Sequence, residues 1–256
     1  MRLALALLKP RYHLSYATVV AAALLFGPAL DDVLVARLAA LYLSFNVLLY
    51  SGIYVLNDVA DARADAAHPR KRARPIPSGQ LSIRSAVIAG AALIASGLVT
   101  IVLFFPPGVA AASCAALALN AAYSGGGRNV PYLDIALNGA PHALRFLMGV
   151  LLVGRVPPAG HLAAWFCLAA GIACVRRLIE LEAGGASSRP TLGHYSARGL
   201  SLAADLGILT ILALCAMDGF QSPGFYLIAI TAYVLFVLGA RRSALAQDRL
   251  AWLWLR

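Results

Sequence analysis

Charge is what this chain has least of. Asp, Glu, Lys and Arg make up only 12% of it, where a soluble domain carries roughly 25%. With 61% hydrophobic residues, that scarcity excludes an ordinary soluble domain and leaves an integral membrane protein with several spans. Acidic side chains are rarer still, with 11 Asp and Glu against 21 Lys and Arg, for a formal net charge of +10. Cysteine is sparse as well. Cys114, Cys167, Cys174 and Cys215 show no Cys-x-x-Cys or other ligand spacing, which argues against a metal–thiolate centre and leaves them as packing residues. The first apolar segment lacks a small-residue cleavage site leading to a soluble mature region, so it reads as part of the fold.

Apolar runs near the spanning length of about 20 residues fall near 13–30, 33–56, 83–104, 108–124, 132–154, 160–180, 200–217 and 223–240. They predict an all-α, polytopic membrane helical bundle of about eight or nine transmembrane helices. Small-residue stretches such as "AGAALIASG" suit helices that approach closely in lipid. The tail "AQDRLAWLWLR" is too short to span and reads as an interfacial helix or the start of a ninth span. The length allows a single domain over residues 1–256.

Basic residues set the expected orientation. The N-terminal arm (Arg2, Lys9, Arg11) and the loops 57–82, 124–131, 181–199 and 241–256 hold most of the Lys and Arg. The alternate turns, "GPALDD", "FPPG", "GRVPPAG" and "MDGFQSPG", hold few. The positive-inside rule then predicts a multi-pass protein of the cytoplasmic membrane, with its N-terminus and these loops cytoplasmic. Because the basic residues are spread over membrane loops, no nucleic-acid partner is expected.

The little acid there is lies concentrated in one stretch, "NDVADARADAAHPRKRARPIPSG", residues 57–79. At about 100° per residue, Asn57, Asp58, Asp61 and Asp65 fall within roughly one quadrant of a helix and Arg63 points away. Asn46, Tyr50 and Tyr54 extend that polar seam into the second span. Carboxylates this close repel one another unless something positive sits among them. Mg²⁺ is a hard ion, commonly held by one or two carboxylates plus substrate phosphates, and it fits such a face. Arg70, Lys71, Arg72 and Arg74 follow at once and could reach a phosphate, with Pro69, Pro75 and Pro77 stiffening the loop.

"NDVADARAD" resembles the NDxxDxxxD motif of the UbiA superfamily of intramembrane prenyltransferases. "AYSGGGRNVPYLD" resembles that superfamily's next signature, a Tyr-Ser (Tyr123, Ser124) with a basic residue, Arg128, five positions past the Tyr. The resemblance implies a helical bundle around a polar cavity open to the cytoplasmic side. It also implies a Mg²⁺-bound diphosphate and a polyprenyl chain lying in the membrane.

Further ionisable groups lie within spans, where such groups usually face a cavity or one another. Asp134, Asn138 and Arg145 share a face of the fifth span, with His142 nearby; an Asp134–Arg145 pair would be about three turns apart. The sixth span ends in "CVRRLIELEAGGASSRPTLGHYS". Much of the superfamily has a second aspartate pair there. This chain has Arg176, Arg177, Glu180 and Glu182 instead. Arg176 and Glu180 are one turn apart and suited to an ion pair, which leaves Arg177 to face substrate. The Arg-Arg-x-x-Glu-Leu spacing, "RPTLGHYS" and "HPRKRARPIPSG" resemble the branch that moves a phosphoribosyl group from phosphoribosyl pyrophosphate to a polyprenyl phosphate.

That resemblance implies Mg²⁺ on Asp58, Asp61 and Asp65, and a polyprenyl (di)phosphate lipid oriented by Arg177, Arg128 and Lys71. Glu180 joins the catalytic set. Tyr54, Asn57, Arg72, Arg74, Tyr123, Asp134, Arg145 and Arg176 complete the substrate contacts. An alternative keeps the fold: a prenyl diphosphate ionises, and an aromatic acceptor or the chain itself traps the cation, shielded by Tyr50, Tyr54 and Tyr123. A transporter would show inverted repeats with broken helices, and none is evident. A homo-oligomer is left open.

Overall fold

The computed structural model describes residues 7–67, 71–182, 190–242 and 247. Arg70, part of the loop expected over 181–199, and nearly all of the apolar tail lie outside the described residues. Among the described residues the chain is helical throughout, without a strand. The long helices are α1 (Ala17–Phe26), α2 (Asp32–Ala66), α3 (Ile83–Phe104), α4 (Pro107–Ser124), α5 (Leu133–Leu152), α6 (Ala159–Glu182), α7 (Ala197–Met217) and α8 (Pro223–Gly239). All eight expected segments are present as helices. Five of them, α2, α3, α5, α6 and α7, are long and apolar enough to cross a membrane. α1 and α8 are shorter apolar helices, and α4 is diluted by Ser113, Asn120 and Ser124.

The chain divides into two compact units. One is Met1–Asn120 with Leu147–Arg155; the other is Ala121–Phe146 with Val156–Arg256.

In the first unit, short-range chemistry sets where helices begin and end. α1 stops at Gly27, earlier than its apolar run, and the Asp31 carboxylate then accepts the Leu34 amide at 2.7 Å to cap α2. No glycine or proline interrupts residues 53–67, so α2 carries the acidic motif as continuous helix to Ala66. Over Tyr42–Tyr50 its turns widen to i→i+5 hydrogen bonding. Ser82 caps α3 through the Ser85 amide at 3.1 Å. α3 then lies against α2 with almost no space between backbones: a Cβ built on Gly97 would sit 2.7 Å from the Leu49 nitrogen and the Ser44 carbonyl. The opposite side of α3 exposes Ile88, Val99, Val102 and Leu103, the apolar surface that an integral membrane protein turns to lipid.

In the second unit, α6 and α7 pack along their length, and α8 joins them through Phe225, Tyr226 and Tyr233. The Tyr233 hydroxyl donates to the Ala204 carbonyl at 2.5 Å. Gly126, at φ +134, supplies the turn that "GGG" predicts between α4 and α5.

Replacing Gly97 by alanine should lower stability by ~1–3 kcal/mol, because the blocking atoms are backbone and cannot rotate away. Gly224→Ala, with nothing within 4 Å of the added Cβ, should stay within ~0.5 kcal/mol. Thermal unfolding of the two variants in detergent measures the difference.

Candidate active site

The acidic end of α2 is held by a loop that is itself anchored from below. In "RPIPSG", Ile76 is 7% exposed and packs on Val55 and Ala86, with Val59, Ala62 and Leu81 around it. The Leu81 amide donates to the Pro75 carbonyl at 2.9 Å and the Gly79 amide to the Ile76 carbonyl at 3.0 Å. This apolar plug aims Arg74 back at α2. Its Nη1 lies 2.6 Å from Asp65 Oδ2 and 3.3 Å from Asp58 Oδ1. Lys71 Nζ lies 3.6 Å from Asp65 Oδ1, with its side chain half exposed. Asp58 and Asp65 are both buried, at 8% and 3% exposure.

A further cation arrives from the N-terminal arm. Lys9 Nζ is 2.6 Å from Asp58 Oδ2. Sequence reasoning missed this residue as a site group; the only signal was a lysine in "KPR" just ahead of the first apolar run. Asn57 and Asp61 are partly exposed on the same helix, and Arg72 is exposed. Deeper along α2, the Tyr50 and Tyr54 rings meet edge-on at 5.5 Å, and Asn120 Nδ2 donates to the Tyr50 hydroxyl at 3.2 Å. Asn46 is buried at 1% exposure with Oδ1 lacking a hydrogen-bond partner.

The three aspartates are thus not gathered into a ready metal cage. Among the described residues no three His, Cys, Asp or Glu side chains converge as a metal site. Asp58 and Asp65 turn toward cationic side chains, while Asp61 stays nearer the surface. The pair still suits Mg²⁺, which needs only one or two carboxylates when substrate phosphates supply the rest. Positive charge already stands within 3.3 Å of three of their four oxygens.

The second unit carries its own charged cluster. Arg177, at 1% exposure on α6, donates from Nε to Asp134 Oδ2 at 2.7 Å and from Nη1 to Glu180 Oε2 at 2.8 Å. Arg176 Nε donates to Glu180 Oε1 at 3.1 Å, the expected one-turn ion pair. The spacing alone left Arg177 free; here its buried guanidinium is paired with the two carboxylates. Asp134 takes Arg177 and the Tyr195 hydroxyl, and Arg145 Nη1 donates to the Pro141 carbonyl at 3.2 Å.

Tyr195, also missed in the sequence, sits in the quoted "RPTLGHYS". Its oxygen accepts the Tyr132 amide at 2.8 Å, and Tyr132 adopts φ +64 there. Burial, and then the hydrogen bond to Asp134, push the Tyr195 phenol up, so it remains a donor throughout the physiological range. Tyr123 lies within electrostatic reach of Arg177, and Arg128 is part-exposed in the turn after Gly126.

Comparison with known proteins gives these clusters a context. The model of the UbiA prenyltransferase family matches residues 14–255. A decaprenyl-phosphate phosphoribosyltransferase from Corynebacterium glutamicum is 32% identical over 181 residues, covering 67% of this chain and 53% of that protein. A 4-hydroxybenzoate octaprenyltransferase from a Polaromonas species is 34% identical over 186 residues, covering 68% of this chain and 62% of that protein. This chain spans about half or less of the length of the first curated relatives it matches. Among solved structures, a UbiA homolog from Archaeoglobus fulgidus bound to GPP and Mg²⁺ superposes with a TM-score of 0.77 at 17% identity. That match covers 93% of this chain and 87% of the other.

The buried cluster makes a stability prediction. Asp134→Ala leaves the buried Arg177 guanidinium with only the Glu180 carboxylate, which Arg176 shares, and should cost about 3 kcal/mol, seen as a lower unfolding temperature in detergent. Arg176→Ala, whose side chain is 38% exposed, should change stability by no more than ~1 kcal/mol.

Proposed function

We propose that this chain, which belongs to the UbiA prenyltransferase family, is a Mg²⁺-dependent membrane transferase acting on a polyprenyl substrate. Within that class we assign it phosphoribosyl transfer from phosphoribosyl pyrophosphate to a polyprenyl phosphate. The observation that carries the assignment is the division of charge. One cluster pairs buried Asp58 and Asp65 with cations from the N-terminal arm and the following loop, while the end of α6 carries arginines in place of a second aspartate pair. A single metal-binding face suits one pyrophosphate leaving group, and basic side chains elsewhere suit a phosphate that does not leave. Relatives named decaprenyl-phosphate phosphoribosyltransferase support this reading.

In the proposed reaction Asp58 and Asp65 hold the metal, with Asp61 beside them. When bound, Mg²⁺ supplies charge that lets pyrophosphate depart. Lys71, half exposed although 3.6 Å from Asp65, and Arg72, exposed, would bind phosphate oxygens. The Asp134–Arg177–Glu180 cluster with Tyr195 acts as a rigid base that orients Arg176, whose guanidinium is part-exposed. The sugar's anomeric carbon becomes oxocarbenium-like as its bond to pyrophosphate breaks, and the lipid phosphate oxygen forms the new bond. The family match across residues 14–255 supports reading the chain as one transferase domain.

The second reading, ionisation of a prenyl diphosphate, is favoured by the Tyr50–Tyr54 ring pair on the same helix as the aspartates. One assay on purified protein separates the two. Pyrophosphate release should require phosphoribosyl pyrophosphate together with polyprenyl phosphate, stop in EDTA and return with Mg²⁺. Asp58→Ala and Asp65→Ala should each lower turnover by roughly a hundred-fold or more. Steady pyrophosphate release from a prenyl diphosphate alone would decide for the second reading.

The basic loops support a cytoplasmic side for this chemistry. With Cys114, Cys167, Cys174 and Cys215 removed, a cysteine at Ser78 should be protected from an impermeant thiol reagent in intact cells. Labelling from outside would reverse the orientation.

A further inference from the structure

The segment leading into α1 is tied down more firmly than a simple lead-in requires. The Leu8 carbonyl accepts the Ser51 hydroxyl at 3.2 Å and His13 Nε2 at 2.9 Å. A carbonyl can only accept, so Nε2 donates there, and Nδ1 shares a hydrogen bond with the Tyr42 hydroxyl at 2.8 Å. Tyr16 in turn donates to the Leu38 carbonyl at 2.7 Å. Between these anchors stands Lys9 with φ +51, a left-handed conformation that a residue with a Cβ adopts rarely and at a cost. That backbone sends the Lys9 side chain to Asp58. The ammonium sits 2.6 Å from Oδ2, with the two side chains only 13% and 11% exposed.

Asp58 therefore has a cation on each oxygen, Lys9 on Oδ2 and Arg74 on Oδ1. Two negative charges on Asp58 and Asp65 already meet positive charge from Lys9, Arg74 and Lys71. A divalent ion added to this set leaves an excess of positive charge, and the ammonium must vacate Oδ2 for the ion to bind there. A pyrophosphate arriving with the ion removes both difficulties. It supplies negative charge, and it offers acceptors to the displaced ammonium. Lysine suits such an exchange, being a compact charge on a flexible four-carbon stem that pivots while its backbone stays fixed.

We propose that Lys9 is an exchanging cation: it occupies the metal's place on Asp58 in the empty protein and transfers to the donor's pyrophosphate when the metal binds. The proposal rests on the metal reading of Asp58 and Asp65 given above. It makes Lys9 a donor-binding residue that couples two ligands. Metal alone binds weakly, pyrophosphate alone binds weakly, and each strengthens the other.

The test uses purified full-length protein with Mn²⁺ as the metal probe and inorganic pyrophosphate as the anion, each read by calorimetry without turnover. Lys9→Met keeps the stem and removes the charge. It should bind Mn²⁺ alone roughly ten-fold more tightly, and pyrophosphate in the presence of Mn²⁺ roughly ten-fold more weakly. Opposite signs are the signature, since loss of structure would weaken both. A second measurement needs no variant. In the unaltered protein, Mn²⁺ alone should raise labelling of Lys9 by an amine-reactive reagent, and pyrophosphate added with it should lower labelling again. Constants that move together or not at all, with Lys9 labelling indifferent to both ligands, would overturn the role of Lys9. If Mn²⁺ binding is absent, or survives Asp65→Asn intact, the metal reading itself fails, and Lys9 fails with it.

Discussion

Ionised groups taken out of water are costly, and in a protein with apolar outer faces only closely matched counter-charge offsets that cost. Much of the chemistry-bearing geometry here follows from that constraint. Asp134 cannot sit fully buried unless Arg177 reaches it, and Arg177 cannot be buried unless Glu180 shares its charge. Asp58 and Asp65 tolerate burial because Lys9 and Arg74 come to them from the arm and the loop. The two clusters solve the same problem differently. The α5–α6 cluster closes its charges on one another with guanidinium forks and a phenol, a rigid arrangement. The α2 cluster borrows cations from segments outside the helix.

The apolar packing serves the same end. Ile76, between two prolines, is inserted beside Val55 and Ala86, and Arg74 two residues away is thereby fixed on the aspartates. Gly97 lets α3 touch the α2 backbone beneath the motif. These contacts have no chemistry of their own. They fix the angle at which α2 presents its acidic end.

The fold was legible in the sequence because apolar runs and turn residues are local signals. All eight expected segments are helices, and the acidic motif lies on continuous helix because nothing between residues 53 and 67 breaks one. The family resemblance carried by "NDVADARAD" agrees with the match over residues 14–255. Helical periodicity also placed the aspartates on one side of α2, and one-turn spacing foretold the Arg176–Glu180 pair. What could not be read were partners set by tertiary approach. Arg177 looked free because its partner Asp134 is 43 residues away on another helix. Lys9 lies far from Asp58 in sequence and reaches it through an unusual backbone angle that no lysine advertises.

The widened turns at Tyr42–Tyr50 bear on how this chain tolerates changes of length. An i→i+5 ring holds one residue more than a regular helical ring. A single-residue deletion inside that stretch can be absorbed by reverting to ordinary helix, with Asp58 and Asp65 still facing their cations. The same deletion between Ser51 and Asn57 has no slack to draw on, and it turns every later residue by about 100°, taking the carboxylates away from Lys9 and Arg74. Insertions and deletions in α2 should therefore be confined to its wide segment, whatever side chains are exchanged around it.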